Sequence, residues 1–237
     1  MGGGEKMKKT AIAILLLYLL VCFVGCSAKE KSESNTPAAD SSISTQEQPQ
    51  SNMEENSVQT KPVSEPYTKN TRIADVINDS AFGDYGRLIF PVNNGYYSGD
   101  TLGDLSLTWY SHIDADKTVE IANYFKSHAE AGDIIFYDIY TEAEKAADPA
   151  KADTGLFFFK GNPGERFAIC NAGGGFAYVG AMHDSFPHAL ELSKKGYNAF
   201  ALIYRPGWDT AVEDLARAIG FIFEHAEELE VDTDCYS

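Results

Sequence analysis

The chain has 237 residues, enough for one domain of ordinary size plus extra segments, and carries 35 acidic against 19 basic side chains, a net charge of −16. Residues 69–237 alone carry −14 with no basic stripe, so a nucleic-acid backbone would be repelled and nucleic acid is excluded as a partner. An acidic surface of this kind argues for solubility, not for one particular partner.

In chain order, "EKMKK" gives a short positive region and Thr10–Gly25 an uninterrupted apolar run. The run is shorter than the roughly 18–20 residues of a comfortable membrane span, so residues 1–25 read as a signal peptide, with Met7 a second possible start. The stretch "FVGCS" resembles a bacterial lipobox, with Gly25 before the cleavage point and Cys26 after it; Phe23 stands where leucine is usual. The resemblance implies a mature protein that begins at acylated Cys26 and sits outside the cytoplasmic membrane. Each buried CH₂ contributes about 0.8 kcal/mol, so several acyl chains on one cysteine anchor a protein firmly. The other reading is an ordinary secretory signal with an incidental thiol at Cys26. Cys22 leaves with the signal; Cys170 and Cys235 read as free buried thiols, since no spacing rule supports a disulfide between them.

Residues 26–66 read as a tether. From residue 27 to 66 there is no aromatic residue, only a Ser-, Gln-, Asn-, Glu- and Pro-rich stretch that cannot bury enough apolar area to offset chain entropy. Such a segment lifts a domain away from its anchor.

Aromatics and regular turn signals begin at Tyr67. Residues 67–132 are expected to be an N-terminal layer or cap, including "LTWYSHI" at 107–113, and 133–237 a partial α/β domain. "RLIFPV" (87–92) reads as a short strand or extended segment. Asp116 to Ala131 reads as a helix with Val119, Ala122, Phe125 and Ala129 on one face and Gly132 as its stop. "DIIFYDIY" (133–140) reads as a strand, "EAEKAADPAKAD" as a polar connection, "TGLFFFK" (154–160) as a second strand and "GNPGE" as a turn. "FAICN" (167–171) is a third strand, and its lack of alternation predicts burial on both faces. Ser185 is expected to cap a helix with Pro187 in its first turn, Lys194 and Lys195 in its last and Gly196 as its stop. "NAFALIY" (198–204) is a fourth strand. Thr210 and Glu213 are expected to form a capping box on the next helix, where Val212, Leu215, Ile219, Ile222, Ala226 and Leu229 recur at spacings of three and four. "VDTDCYS" starts another extended segment. Strands alternating with helices predict a mostly parallel sheet with flanking helices.

The three glycines after the third strand, Gly173, Gly174 and Gly175 in "NAGGGFAYVG", admit several chemistries. A dinucleotide fingerprint would need a third glycine where Tyr178 stands, and no phosphate-loop string is present. Two readings stay open on the residues alone. One is an oxyanion hole, in which backbone N–H groups meet a developing negative oxygen with no Cβ in the way. The other is a glycine-rich turn without chemistry.

The run "GLFFFKG…FAICNAGGGFAYVG…FPHALELSKKGYNAFALIYRPG…TAVEDLARAIGFI" resembles the α/β-hydrolase fold in its esterase and lipase-like branch, over about residues 133–237. In that family a glycine motif follows the third strand, a "YR-P" stretch ends the fourth, and a helix with an acidic pair follows. The resemblance implies carboxylic-ester hydrolysis by a serine nucleophile. It makes the N–H groups of Gly174 and Gly175 the oxyanion donors, supported by Gly173; the family's frequent histidine at the head of the motif is Ala172 here. The G-x-S-x-G turn that should follow the fifth strand is absent from the sequence, and "GYYSG" at 95–99 has the wrong spacing. The triad acid and histidine follow that serine in the family. The expectation is therefore the N-terminal part of an α/β-hydrolase fold, incomplete at the C-terminus, with no catalytic residue in this chain, a membrane partner through Cys26, and a small ester as substrate of the full-length form. The alternative is a non-enzymatic surface lipoprotein that uses the half-fold to bind. A strand three left unpaired where strand five should lie weakens that alternative. No cofactor is called for. His183 and His188 have no third ligand at metal-site spacing, and His112, His128 and His225 stand isolated, so no metal is expected.

Overall fold

The computed structural model describes residues 65–90, 95–108 and 113–237. The signal peptide, Cys26 and the tether up to residue 64 lie outside the described residues, as do 91–94 and 109–112.

The N-terminal layer is a set of short pieces: α1 (Ile73–Ile77), a 3-10 turn at Gly83–Tyr85, α2 (Gly86–Ile89), and a two-residue hairpin of β1 (Tyr97–Ser98) and β2 (Ser106–Leu107). The strand expected from Arg87 is instead α2. Leu88 and Ile89 are both buried in this single turn, and residues 91–92 of the expected segment lie outside the described residues. Val76, Phe82, Leu102 and Leu105 join the same core as the rest of the fold.

Helix α3 (Ala115–Ala131) starts where Asp114 accepts from the Asp116 and Lys117 amides, and ends on Gly132 at φ +91°. The next strand, β3, is shorter than the expected 133–140: it spans Phe136–Tyr137, paired with β4 (Gly155–Phe159), and the Phe158 amide also donates to the Ile135 carbonyl at 2.9 Å. The polar connection after it contains a helix, α4 (Glu142–Ala147), closed by a reciprocal capping box between Thr141 and Glu144.

A five-stranded sheet runs in the order β3–β4–β6–β5–β7, with β5 at Glu165–Asn171, β6 at Asn198–Ile203 and β7 at Val231–Tyr236. The expected mostly parallel sheet is in fact mixed: β3–β4 and β4–β6 are antiparallel, β6–β5 and β5–β7 parallel. The chain between β3 and β4 returns beside its own strand, as antiparallel neighbours can without a crossover helix, whereas the turn at 161–164 leads to β5, which is separated from β4 by β6.

Two helical crossovers leave β5 and β6 in opposite directions. The chain passes from β5 through α5 (Ser185–Lys194) to β6 on one side, then through α6 (Trp208–Glu224) to β7 on the other. Right-handed crossovers in opposite directions put α5 and α6 on opposite faces of the sheet. The aromatic core shows it. Phe186 of α5 meets Phe125 and Phe157 at 5.2 and 5.0 Å, while the next residue, Phe158, stacks on Phe200 at 4.4 Å toward the α6 side.

Three expectations change here. Strand β5 is not buried on both faces: only Phe167 is fully buried, and Ala168, Ile169 and Cys170 are half-buried. Its edge is not bare, because β7 pairs with it, the Ile169 amide donating to the Ser237 carbonyl at 2.7 Å. Cys235 is exposed rather than buried, and both it and Cys170 are free thiols.

Candidate functional site

Strands β5 and β6 lie side by side and send their chains to opposite faces. Their carboxyl ends therefore mark a topological switch point, the place where open α/β sheets take ligands. The glycine loop Ala172–Gly180 follows β5, and Tyr204–Gly207 follows β6. The two loops are tied together: the Tyr204 hydroxyl donates to the Ala172 carbonyl at 2.8 Å, and the Gly207 amide donates to the Phe176 carbonyl at 2.8 Å.

Each glycine of the triplet has its own reason. Gly174 sits at φ +146°, and a Cβ there would run into the Tyr178 carbonyl oxygen. Gly175 sits at φ +60° with open space where a Cβ would be, so only its backbone conformation asks for glycine. The Gly173 amide donates to the Asp184 carboxylate at 2.6 Å. Among the described residues no protein group accepts from the Gly174 or Gly175 amide. Phe176 continues the left-handed run at φ +60°, a conformation rarely held by residues other than glycine.

Asp184 explains a second departure from expectation. The helix α5 begins at Ser185 with Asp184 in the N-cap position, yet neither side chain caps it. The carboxylate goes to Gly173 instead, and the Ser185 hydroxyl is buried without a partner. Sequence alone marked Asp184 only as a neighbour of His183; its hold on the glycine loop needs the fold to bring residues 173 and 184 together.

His183 does not pair with His188. The Tyr97 hydroxyl of the β1–β2 hairpin lies 3.0 Å from His183 Nδ1, while His188 is exposed 3.5 Å from Asp184. Among the described residues no group of three metal-ligating side chains comes together. Burial pushes the His183 imidazole below its ordinary value, with the Asp184 charge opposing. Burial also raises the Tyr97 phenol, helped by Tyr178 and Asp184, and pushes the Cys170 thiol up to about 11. A thiol so placed is a poor nucleophile at neutral pH. Tyr97 was out of reach of sequence reasoning, since no local pattern links it to a residue so far along the chain.

The turn after β6 is braced by charge. Arg205 is 5% exposed and Asp214 fully buried. The Arg205 guanidinium donates to Asp214 at 2.7 Å, to Glu213 at 2.8 Å and to Asp148 at 2.7 Å, and its backbone amide donates to Asp214 as well. Tyr140 donates to Asp214 at 2.8 Å. The expected capping box of Thr210 with Glu213 is therefore absent. Helix α6 starts three residues earlier than that box would place it, at Trp208 with Gly207 as its N-cap, Glu213 serves Arg205, and the Thr210 hydroxyl donates back to the Pro206 carbonyl at 2.9 Å. At the same turn, Trp208 and Phe176 meet edge to face at 5.1 Å, both exposed.

Chemically, this end of the sheet offers two adjacent N–H donors in a loop fixed from both sides, an aromatic pair beside them, and no serine–histidine–acid set among the described residues. Comparison with family models, curated proteins and solved structures finds no match to this chain.

Proposed function

We propose that the chain is the N-terminal half of a lipid-anchored esterase of the α/β-hydrolase type, lacking the residues of the triad. The observation that carries the reading is the pair of unengaged amides at Gly174 and Gly175, at the carboxyl end of β5 where the loops after β5 and β6 meet. It is supported by β7, which lies beside β5 as strand five lies beside strand three in that family.

In this reading an ester carbonyl oxygen sits against the two amides. As the carbonyl carbon becomes tetrahedral, negative charge grows on that oxygen and the amide dipoles meet it without reorganising. Each such donor is worth roughly 10²–10³ in rate. Asp184 and Tyr204 hold the loop, through Gly173 and Ala172, so that the donors are already aimed. The serine nucleophile, its histidine and its acid would come from residues after strand five, so no residue described here is given those roles. Cys26, acylated, would place the domain on the outer face of the cell membrane.

Two experiments test the reading. The chain ending at Ser237 should not turn over a small aryl ester, whereas one extended through a G-x-S-x-G turn and its acid and histidine should. Serine-dependent turnover by the shorter chain would overturn it. Replacing Cys26 with Ser should abolish acyl labelling and move the protein out of the membrane fraction.

One observation favours a second reading, a surface lipoprotein that binds without catalysis. With β7 in place the sheet edge is not the bare apolar β5, and the outer strand carries Asp232 and Asp234, as protected edges do. A monomer that unfolds cooperatively would favour this second reading.

A further inference from the structure

The loop that presents the Gly174 and Gly175 amides also presents a ring. Phe176, the next residue, is held at φ +60° and is 42% exposed, where a large apolar side chain would ordinarily turn inward. Its carbonyl is fixed by the Gly207 amide, and that bond brings the following residue, Trp208, against the ring at 5.1 Å and 85°. Trp208 is 65% exposed, the most exposed of the large apolar side chains described. Two aromatic faces are thus kept in water by a strained backbone beside two unengaged donors. Strain that persists in a braced loop marks a site that uses it.

The charge around the shelf narrows the ligand. Asp184 binds the same loop, Asp209 follows Trp208, and residues 69–237 carry −14. A carboxylate brought to these amides would meet the charge of Asp184 on the same loop, and an uncharged carbonyl would not.

We propose that Phe176 and Trp208 form a ring-binding subsite that selects uncharged carbonyl compounds bearing an aromatic group, the carbonyl oxygen on Gly174 and Gly175 and the ring against the aromatic pair. The inference rests on the esterase-type reading of the glycine loop and names the substrate class of that site. An edge-to-face pair leaves faces open to a third ring in offset or perpendicular contact, which favours flat aromatic groups over aliphatic ones of similar size.

The test uses the 237-residue chain, ¹⁵N-labelled and held in detergent, titrated with acetophenone, butanone and benzoate. Both ketones are expected to move the Gly174 and Gly175 amide signals, acetophenone binding roughly three- to ten-fold tighter than butanone. Benzoate is expected to bind more weakly than acetophenone. Trp208→Leu, which keeps apolar area and removes the ring, should erase the difference between the two ketones, and so should Phe176→Ala. Phe223→Ala, an exposed change further along the same helix, should leave it intact. Equal affinity for the two ketones, a preference that survives Trp208→Leu, or benzoate binding as tightly as acetophenone would each overturn the subsite while leaving the esterase reading in place. If no probe moves either glycine amide, the esterase reading falls and the subsite with it.

Discussion

A buried hydroxyl without a partner costs more than the same site with no hydroxyl at all. Ser185 is such a group, at the start of a helix whose N-cap residue, Asp184, binds Gly173 instead. Ser185→Ala is therefore expected to be neutral or to stabilise by up to about 1 kcal/mol in denaturant unfolding. A true N-cap serine would instead lose about 1 kcal/mol on the same change, so the sign alone decides. The two donor glycines differ in the same testable way. Gly175→Ala meets only the cost of a left-handed residue, about 1–2 kcal/mol, whereas Gly174→Ala must also displace the Tyr178 backbone and should cost more. Equal losses at the two positions would contradict the contact at Tyr178. At Asp214, removal of the side chain leaves Arg205 buried with two outer carboxylates, and Asp214→Ala should cost about 3 kcal/mol or more. His183 supplies a pH dependence. Its value in the fold lies below its unfolded value, so the unfolded state binds the extra proton first. Stability is then full above roughly pH 6.5 and falls as the pH drops through that value toward the lower one of the folded state. Subtracting the stability–pH profile of His183→Gln from that of the unaltered chain should isolate this slope; a flat difference between pH 7.5 and 5 would refute it.

At the scale of elements, helix α6 has a wider apolar arc than its contacts use. Ala211, Asp214, Ala218 and Ile222 face the sheet, while Leu215 and Ile219 are half-buried and Val212 and Phe223 stand 48% and 44% exposed. The spacing of Val212, Leu215, Ile219 and Ile222 correctly marks an amphipathic helix, but the face that meets the core is rotated toward 211, 214, 218 and 222. Asp214 lies on that face, where it is buried against Arg205. Helix α5 is held more fully. Phe186 lies at the centre of an aromatic cluster with Phe125, Phe157 and Phe159, and outside it Lys117 and Lys194 bridge Glu120 and Glu191. Hydrogen bonds from the two lysines pull the Glu191 carboxyl down to about 2, yet the group is solvent-exposed and salt should screen it. Phe186→Ala should cost about 3–5 kcal/mol, and the loss should be insensitive to added salt. A strongly salt-dependent loss would shift the weight from the rings to the ion pairs.

Across the whole molecule, the apolar stripe of α6 runs toward the outer strand. Phe223 meets Tyr236 edge to face at 5.4 Å, and Tyr236 stacks on Phe167 at 5.1 Å. An exposed apolar stripe beside an unpaired strand edge favours association, and the acidic edge residues oppose it. Raising the ionic strength weakens only the opposition. Sedimentation is therefore expected to show association that grows with salt and is reduced by Val212→Glu combined with Phe223→Glu. Association unchanged by the pair of substitutions would place it elsewhere on the surface.

Local chemistry in the sequence was enough for several elements, though not for the helices at 86–89 and 142–147 or for the start of α6. The helix to Gly132, the strands 155–159 and 198–203, the turn at 161–164 and the glycine triplet after "FAICN" are all legible because period, caps and turn residues act within a few positions. The tertiary structure decided what depends on distant partners. It set the antiparallel pairing of β4 with β6, the place of β7 against β5, the use of Asp184 and Glu213 for Gly173 and Arg205 rather than for helix ends, and the meeting of Tyr97 with His183. A carboxylate or a hydroxyl has the same local options in every fold. Which one it takes is settled by the buried donor that would otherwise go unmet, and that donor is brought close only when the whole sheet assembles.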